Sequence, residues 1–361
     1  MIANTLARYF AGRFLLATIS VFAGIFLLIV FVDYIELMRR TANIASASAF
    51  FVAQTSLFRV PQLLERLMPF CILIGAMSCY LSLSRRLELV VARAAGISAW
   101  QFMMPALLSA LVLGLLATTV YNPLSADMQE RAKKMEAALF GDQQALQGTS
   151  GFWVNQITGD GQAIINAANS QEQGGRLTGL TVFRFAPSGE FKERIEAREA
   201  TLEPGRWRFQ NARRYTLDSP ATEENVILLP TNLTPAQVRN SFATPETVSF
   251  WQLPQYIQSS ENSGFATAGY RLQYQKLLSL PFLLAAMVML AGAVSLRFFR
   301  FGGVQKMVLS GVGAGFLLYV LSKVTEDLSK AELMHPVAAA WLPVCVGGLV
   351  GFLALLYQED G

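Results

Sequence analysis

Six apolar runs set the plan of the chain: Phe14 to Val32, about Leu67 to Leu83, Phe102 to Tyr121, Leu277 to Leu296, Met307 to Ser322 and Val337 to Tyr357. Each comes close to the roughly 20 residues a helix needs to cross a bilayer, so six transmembrane helices are predicted. The first run is too long for a signal-peptide core, and the nearest small-residue pattern, Ala45-Ser46-Ala47, lies beyond Arg39 and Arg40. An uncleaved first span is therefore expected. Glu65 and Arg66 are placed at the mouth of the second span, because a charge at mid-bilayer costs about 2.5–3.5 kcal/mol. Asp33 to Val60 reads as a loop or helical extension, and Lys323 to Pro336 as a short polar loop.

Between the third and fourth runs the pattern changes. Asp127 to Leu139 keeps helical spacing, and after it come short β-rich runs at Phe152 to Val154, Ala163 to Ile165, Leu180 to Phe185, Phe191 to Ile195, Arg206 to Phe209 and Val226 to Leu229. Turn clusters such as Pro187-Ser188-Gly189 and Glu203-Pro204-Gly205 separate them. Short strands at regular spacing predict a β-sandwich or jelly roll, and the region is long enough for its own core. The predicted fold is a membrane α-helical protein of six transmembrane helices, three plus three, with an inserted all-β jelly-roll domain. Its boundaries are residues 1–121, 122–269 and 270–361.

One short stretch, 84–97, combines both patterns. On a helix at about 100° per residue, Leu87, Val90, Val91, Ala94 and Ala95 share one sector, and Arg85, Arg86, Glu88 and Arg93 the other. With Ser84 as N-cap and Gly96 as the stop, this is an amphipathic helix between two spans, lying on the membrane surface or offered to a soluble partner. The residues leave two readings of Glu88 open: a contact for a cytoplasmic motor subunit, or a solvated acid neutralised by Arg85 or Arg93.

Composition narrows the function. Of 361 residues, 53% are hydrophobic and only 15% charged, against about 25% charged in soluble domains. The net charge of +4 comes with no clustered basic stretch on a nucleic-acid fold, so no nucleic-acid partner is expected. Cys71, Cys79 and Cys345 sit in apolar runs and read as small hydrophobes. A single histidine, His335, excludes two-histidine metal motifs, and with no Gly-Lys dipeptide in the chain there is no P-loop. No nucleophile–base pair can be assembled either, so no catalytic site and no metal site is predicted.

With the N-terminus inside, the inner short segments hold Arg8, Arg13, Arg85, Arg86, Arg93, Arg297, Arg300 and Lys306, and the outer ones Arg39, Arg40, Arg59, Arg66, Lys323 and Lys330. The positive-inside bias is slight, and an anionic ligand at the outer leaflet would account for the outward cations. Arg39 and Arg40 either grip such a head group through their guanidinium forks or snorkel at the interface. Arg66 would add to the same patch. In the fifth span, Gly311 and Gly315 have the small-xxx-small spacing of close helix approach, which suits a sliding gate or plain packing. Glu326 and Asp327 stand at a span end, which argues against a proton relay.

These features together resemble the lipopolysaccharide export permeases of Gram-negative bacteria (LptF/LptG), the G-type more than the F-type. The resemblance is carried by Phe31-Val32-Asp33, Glu88-Leu89-Val90-Val91 with Ala95-Gly96, Gly151-Phe152-Trp153, Thr231-Asn232-Leu233-Thr234-Pro235, and Gly315-Phe316 with Tyr319-Val320-Leu321. It implies an ABC-transporter permease subunit in the bacterial inner membrane, with the β-domain in the periplasm. Two such permeases, one of them LptF-like, would bind a cytoplasmic LptB-like ATPase dimer that carries the ATP and Mg, leaving no cofactor in this chain. The segment at 84–97 would be the coupling helix, with Glu88, Arg85, Val91 and Ala92 meeting the ATPase. Lipopolysaccharide would enter by a lateral gate that includes Phe26, Val30, Gly311, Gly315 and Phe316, with its head group near Arg39, Arg40, Asp33 and Arg66. It would leave through a bridge of LptC/LptA-like β-domains. Arg39 and Arg40 stand where the family carries lysines, and Leu87 where a polar residue is usual. The rival expectations are an ABC permease of lipoprotein or efflux type, and a membrane-anchored β-domain acting as scaffold or sensor.

Overall fold

The computed structural model of the chain describes residues 2–42, 48–147, 152–158, 161–171, 176–216, 220–231, 244–262, 267–299 and 304–359. Ala45-Ser46-Ala47, Gly151, Asn232-Leu233-Thr234-Pro235 and Arg300 with Phe301-Gly302-Gly303 lie outside the described residues. The chain divides into two compact units, Met1–Met135 with Ser249–Trp251 and Ala268–Gly361, and Glu136–Val248 with Gln252–Thr267.

The first unit is helical: α1 (Ile2–Thr41), α2 (Ala49–Arg85), α3 (Glu88–Ala94), α4 (Ala99–Leu116), then a π-turn (Ala117–Tyr121) leading directly into α5 (Asn122–Gln147), which belongs to this unit up to Met135. After α6 (Leu253–Asn262) of the second unit come α7 (Ala268–Phe299), α8 (Val304–Lys330) and α9 (Pro336–Glu359). Six helices are long and apolar enough to cross a membrane, as the apolar runs predict. They extend past those runs because charged residues at their ends find partners within the helix. Arg39 and Arg40 both reach Glu36 on α1, and Lys330 reaches Glu326 on α8. The polar loop expected at Lys323 to Pro336 is therefore mostly helix, and only the turn 331–335 remains. There the Nδ1 of His335 accepts from the N–H of Val337 and caps α9.

Proline and glycine fix how the helices meet. A proline inside a helix removes the bond to the carbonyl four residues back, and in a dry interior that carbonyl needs another donor. Pro281 frees the carbonyl of Leu277, which accepts from the Thr118 hydroxyl of the π-turn at 2.8 Å. Pro343 frees that of Ala339, which accepts from Thr325 of α8 at 2.9 Å. Both bonds are buried. At Gly114 a Cβ would lie 2.3 Å from the Cα of Pro281, so only glycine lets α4 seat against α7. Phe14, Leu73, Phe102, Met103, Leu284 and Ala291 are among the side chains of the common core.

The second unit carries one antiparallel sheet of β1 (Phe152–Thr158), β2 (Gly161–Gln171), β3 (Arg176–Phe185), β4 (Phe191–Glu203), β5 (Arg206–Thr216) and β6 (Thr222–Pro230), in sequential order. Each predicted β-run falls inside one of these strands. The sheet is creased. Pairing passes from Ala167↔Leu180 to Asn169↔Thr178, from Leu180↔Ala197 to Thr178↔Glu199, and from Ala197↔Ala212 to Glu199↔Gln210. A row through Ala168, Gly179, Arg198 and Asn211 is thus left unbridged. Gly179 and Asn211 have φ of +64° and +53°, a left-handed conformation that glycine and asparagine tolerate. Along β3, β4 and β5 the buried positions step by three at this row: Leu177 to Leu180, Ala197 to Ala200, Phe209 to Ala212. Because these three strands step together, register survives between them and the apolar face stays on one side.

The sheet curls until its edge strands meet at one end. Gln156 of β1 donates to the carbonyl of Pro230 on β6 (3.2 Å) and accepts from the Thr231 hydroxyl (2.6 Å). Its inner face buries Ile165, Val182, Ile195, Trp207 and Phe209 completely. Its outer face carries cross-strand ion pairs, among them Arg176–Glu199 and Arg213–Glu223, whereas Glu193, buried between Arg184 and Arg214, lies on the same face as Ile195. Opposite charges across strands add stability. The amphipathic pattern of the strands and the Arg176–Glu199 and Arg213–Glu223 pairs specify the same face as outer.

Candidate functional site

Both ends of the helical unit carry polar clusters. At the first end, α2 runs on through Ser84 and Arg85, so Ser84 is buried inside that helix and does not cap the next. The chain turns at Leu87, whose φ is +59°, and α3 covers only Glu88–Ala94. That turn resets the helical phase. Leu87, Val90 and Val91 of the apolar sector are exposed, and Leu89 and Ala92 are the buried pair. Of the four residues assigned to partner contact, Arg85 and Val91 are exposed, Glu88 is half-buried and Ala92 is turned into the protein. Glu88 Oε2 accepts from the Tyr9 hydroxyl of α1 at 3.0 Å. That same oxygen of Tyr9 accepts from Arg13 Nε at 3.1 Å, and the Arg13 guanidinium lies 5.4 Å from the centre of the Tyr9 ring. The sequence singled out Glu88 but not Tyr9, which stands 79 positions away.

At the other end, Arg39 and Arg40 converge on Glu36, at 2.9 and 2.8 Å, leaving one net positive charge in that group. Asp33 faces Arg59 of α2 at 3.6 Å, which ties α1 to α2, and Arg66 is exposed. These residues share one end of the α1–α2 pair, but the two arginines point along their own helix. Glu65 is held by the side chains of Asn122 and Ser125. Asn122 Oδ1 also accepts from the N–H of Phe250 at 2.9 Å, and Trp251 Nε1 donates to the carbonyl of Thr119 at 3.1 Å. The segment Ser249–Trp251, returning toward the fourth span, is thereby fastened to the π-turn. The Glu326 carboxylate collects Lys276, Lys330 and Lys323 at 2.9, 2.6 and 3.6 Å. Nothing in the linear pattern pointed to Lys276 as a member, since the span order brings it there.

The residues assigned to a gate divide by exposure. Gly311 and Gly315 are buried against α2. A Cβ on Gly311 would lie 2.5 Å from Met77 Sδ, and one on Gly315 2.5 Å from Leu73 Cδ2. Close packing within the chain is their observed role. Phe316 points outward, with Val312, Leu317, Tyr319 and Val320 also exposed on α8. Phe26 and Val30 are half-buried on α1, beside exposed Leu27, Leu28 and Phe31.

Six membrane-capable helices, divided three and three by an antiparallel β-unit, define a multi-pass membrane protein with an inserted β-domain. The model of the lipopolysaccharide export system permease LptF/LptG family matches residues 8–357. The lipopolysaccharide export system permease protein LptG of Escherichia coli (strain K12) is 23% identical over 343 residues, covering 92% of this chain and 91% of that protein. The LptG protein of Haemophilus influenzae is 21% identical over 353 residues, 94% of this chain and 95% of its own length. The chain belongs to the LptF/LptG family of lipopolysaccharide export system permeases.

Proposed function

We propose that this chain is the G-type permease subunit of an ABC transporter that extracts lipopolysaccharide from the inner membrane and passes it to a periplasmic bridge. The observation that carries the reading is the match over nearly the whole chain to the export permease family, on a three-plus-three helical frame with a β-insert. Physical logic agrees. Each buried methylene holds a lipid in the bilayer by about 0.8 kcal/mol, so a lipid with several acyl chains leaves only when work is done on it. The exposed apolar faces of α1 and α8 suit acyl chains or a second, LptF-like permease. Arg39, Arg40 and the lysines around Glu326 offer positive charge to an anionic head group. ATP and Mg belong to a cytoplasmic LptB-like ATPase dimer, met at α3 through Glu88, Arg85 and Val91. The curled β-sheet lies in the periplasm and delivers lipid to LptC/LptA-like domains.

The test is reconstitution of the full complex in vesicles containing lipopolysaccharide, with a soluble acceptor outside. ATP-dependent transfer is expected, and replacing both rim arginines (Arg39→Glu with Arg40→Glu) reduces it several-fold while ATP hydrolysis continues. No transfer by the unaltered complex contradicts the function. Transfer indifferent to the charge reversal contradicts the rim assignment alone.

A further inference from the structure

The Tyr9–Glu88 bond joins a span with much exposed apolar surface to a short helix. Helix α1 is the least enclosed of the six membrane-capable helices, with 6% of its most apolar window buried. Helix α3 is seven residues long and buries only Leu89 and Ala92. Among the described residues, the Tyr9 hydroxyl is the one hydrogen-bond partner of Glu88. The bond has a fixed direction: Arg13 donates to the Tyr9 oxygen, whose proton is thereby committed to Glu88. The neighbouring Phe10 is buried and packs on Phe102 of α4, ring centres 6.3 Å apart, so the Tyr9 hydroxyl is placed from a firm base. Charge-assisted bonds of this kind are about twice as strong as neutral ones. The half-buried Glu88 carboxylate is therefore turned toward α1, and a cation brought from outside would have to draw it away from Tyr9.

We propose that Tyr9 is a positioning residue that links the coupling helix to the first span: a cation of the ATPase that takes Glu88 competes with Tyr9, and loss of that bond uncouples α3 from the adjoining end of α1. The proposal rests on the reading that α3 docks the ATPase. It makes the first span, which bears the gate candidates Phe26 and Val30 and the rim arginines, directly responsive to what happens at α3. Arg13 retains the Tyr9 ring when Glu88 leaves, so the bond can re-form at the end of each cycle.

The experiment uses the complete reconstituted complex and reads lipopolysaccharide transferred per ATP hydrolysed. Tyr9→Phe keeps the ring and its packing but removes the hydroxyl, and the ratio is expected to fall about threefold. In a Glu88→Gln background, where the charged acceptor is already gone, adding Tyr9→Phe changes the ratio no further. Thermal stability of the complex is measured in parallel, because a purely structural bond would lower the melting temperature and leave the ratio alone. An unchanged ratio in Tyr9→Phe, or an equal fall with and without the Glu88 carboxylate, overturns the relay. A wild-type chain that recruits no ATPase defeats the export reading and the relay with it, whereas a working complex indifferent to Tyr9 defeats the relay alone.

Discussion

The helical unit and the sheet each break their own regular pattern, and they mend the break in opposite ways. In the helices the break is single and a neighbour mends it. Pro281 and Pro343 each free one carbonyl, and a threonine on an adjacent element fills it. In the sheet the break is shared. Strands β3, β4 and β5 take the same three-residue step at the same row, and no outside group is needed to hold register. The difference follows from the secondary structure and its solvent. A helix closes its hydrogen bonds within itself, so a fault stays local, and in a membrane it must be answered at once by a donor. A strand shares its bonds with two neighbours, so a fault in one would shift the pairing of all unless all carry it.

The sharpest way to break the helical side of this comparison is Gly114→Leu. The side chain would have to enter the backbone of Pro281, overpacking that costs about 3 kcal/mol or more. The folded fraction recovered in detergent, read by size-exclusion chromatography, should collapse. On the sheet side, Gly179→Val forces a β-branched residue into left-handed backbone, at about 1–2 kcal/mol, with its Cβ 3.0 Å from that of Ala168. Limited proteolysis of the full chain should then cut faster within 152–230. Asn211→Gly should leave that rate unchanged, since glycine accepts the same conformation. The smallest effect sharpens the idea of mending. Thr325→Val should cost about 1 kcal/mol, and the cost should vanish in a Pro343→Ala background, where the Ala339 carbonyl regains its own helical donor. A cost that persists there would mean Thr325 packs rather than mends.

Much of the fold was legible because hydropathy and alternation are written directly in the chain. Phe14 to Val32 and its five counterparts gave the spans, and runs such as Leu180 to Phe185 gave the strands. Helix ends were less legible. Glu36 and Glu326 look like loop residues until their partners one turn away are seen to satisfy them. The bounds and the buried pair of α3 were not legible for a specific reason: one helical phase was carried across 84–97, and the left-handed Leu87 interrupts it. The crease was visible in principle as Leu177-to-Leu180 and Ala197-to-Ala200 steps of three, but only pairing shows that they align. Glu88 stood out through its place in an amphipathic stretch and through resemblance. Tyr9, Lys276 and Thr118 did not, because each acts on a residue far away in sequence and no local spacing encodes that meeting.

The proposed function requires that this chain work within an ATP-driven complex through α3. The most direct measurement is mild-detergent purification of the tagged full chain from its native membrane, followed by identification and quantification of what accompanies it. A stoichiometric ATPase and a second permease, with the ATPase lost on Glu88→Lys, is the predicted result. The chain recovered alone, without ATP hydrolysis and indifferent to that substitution, would contradict it.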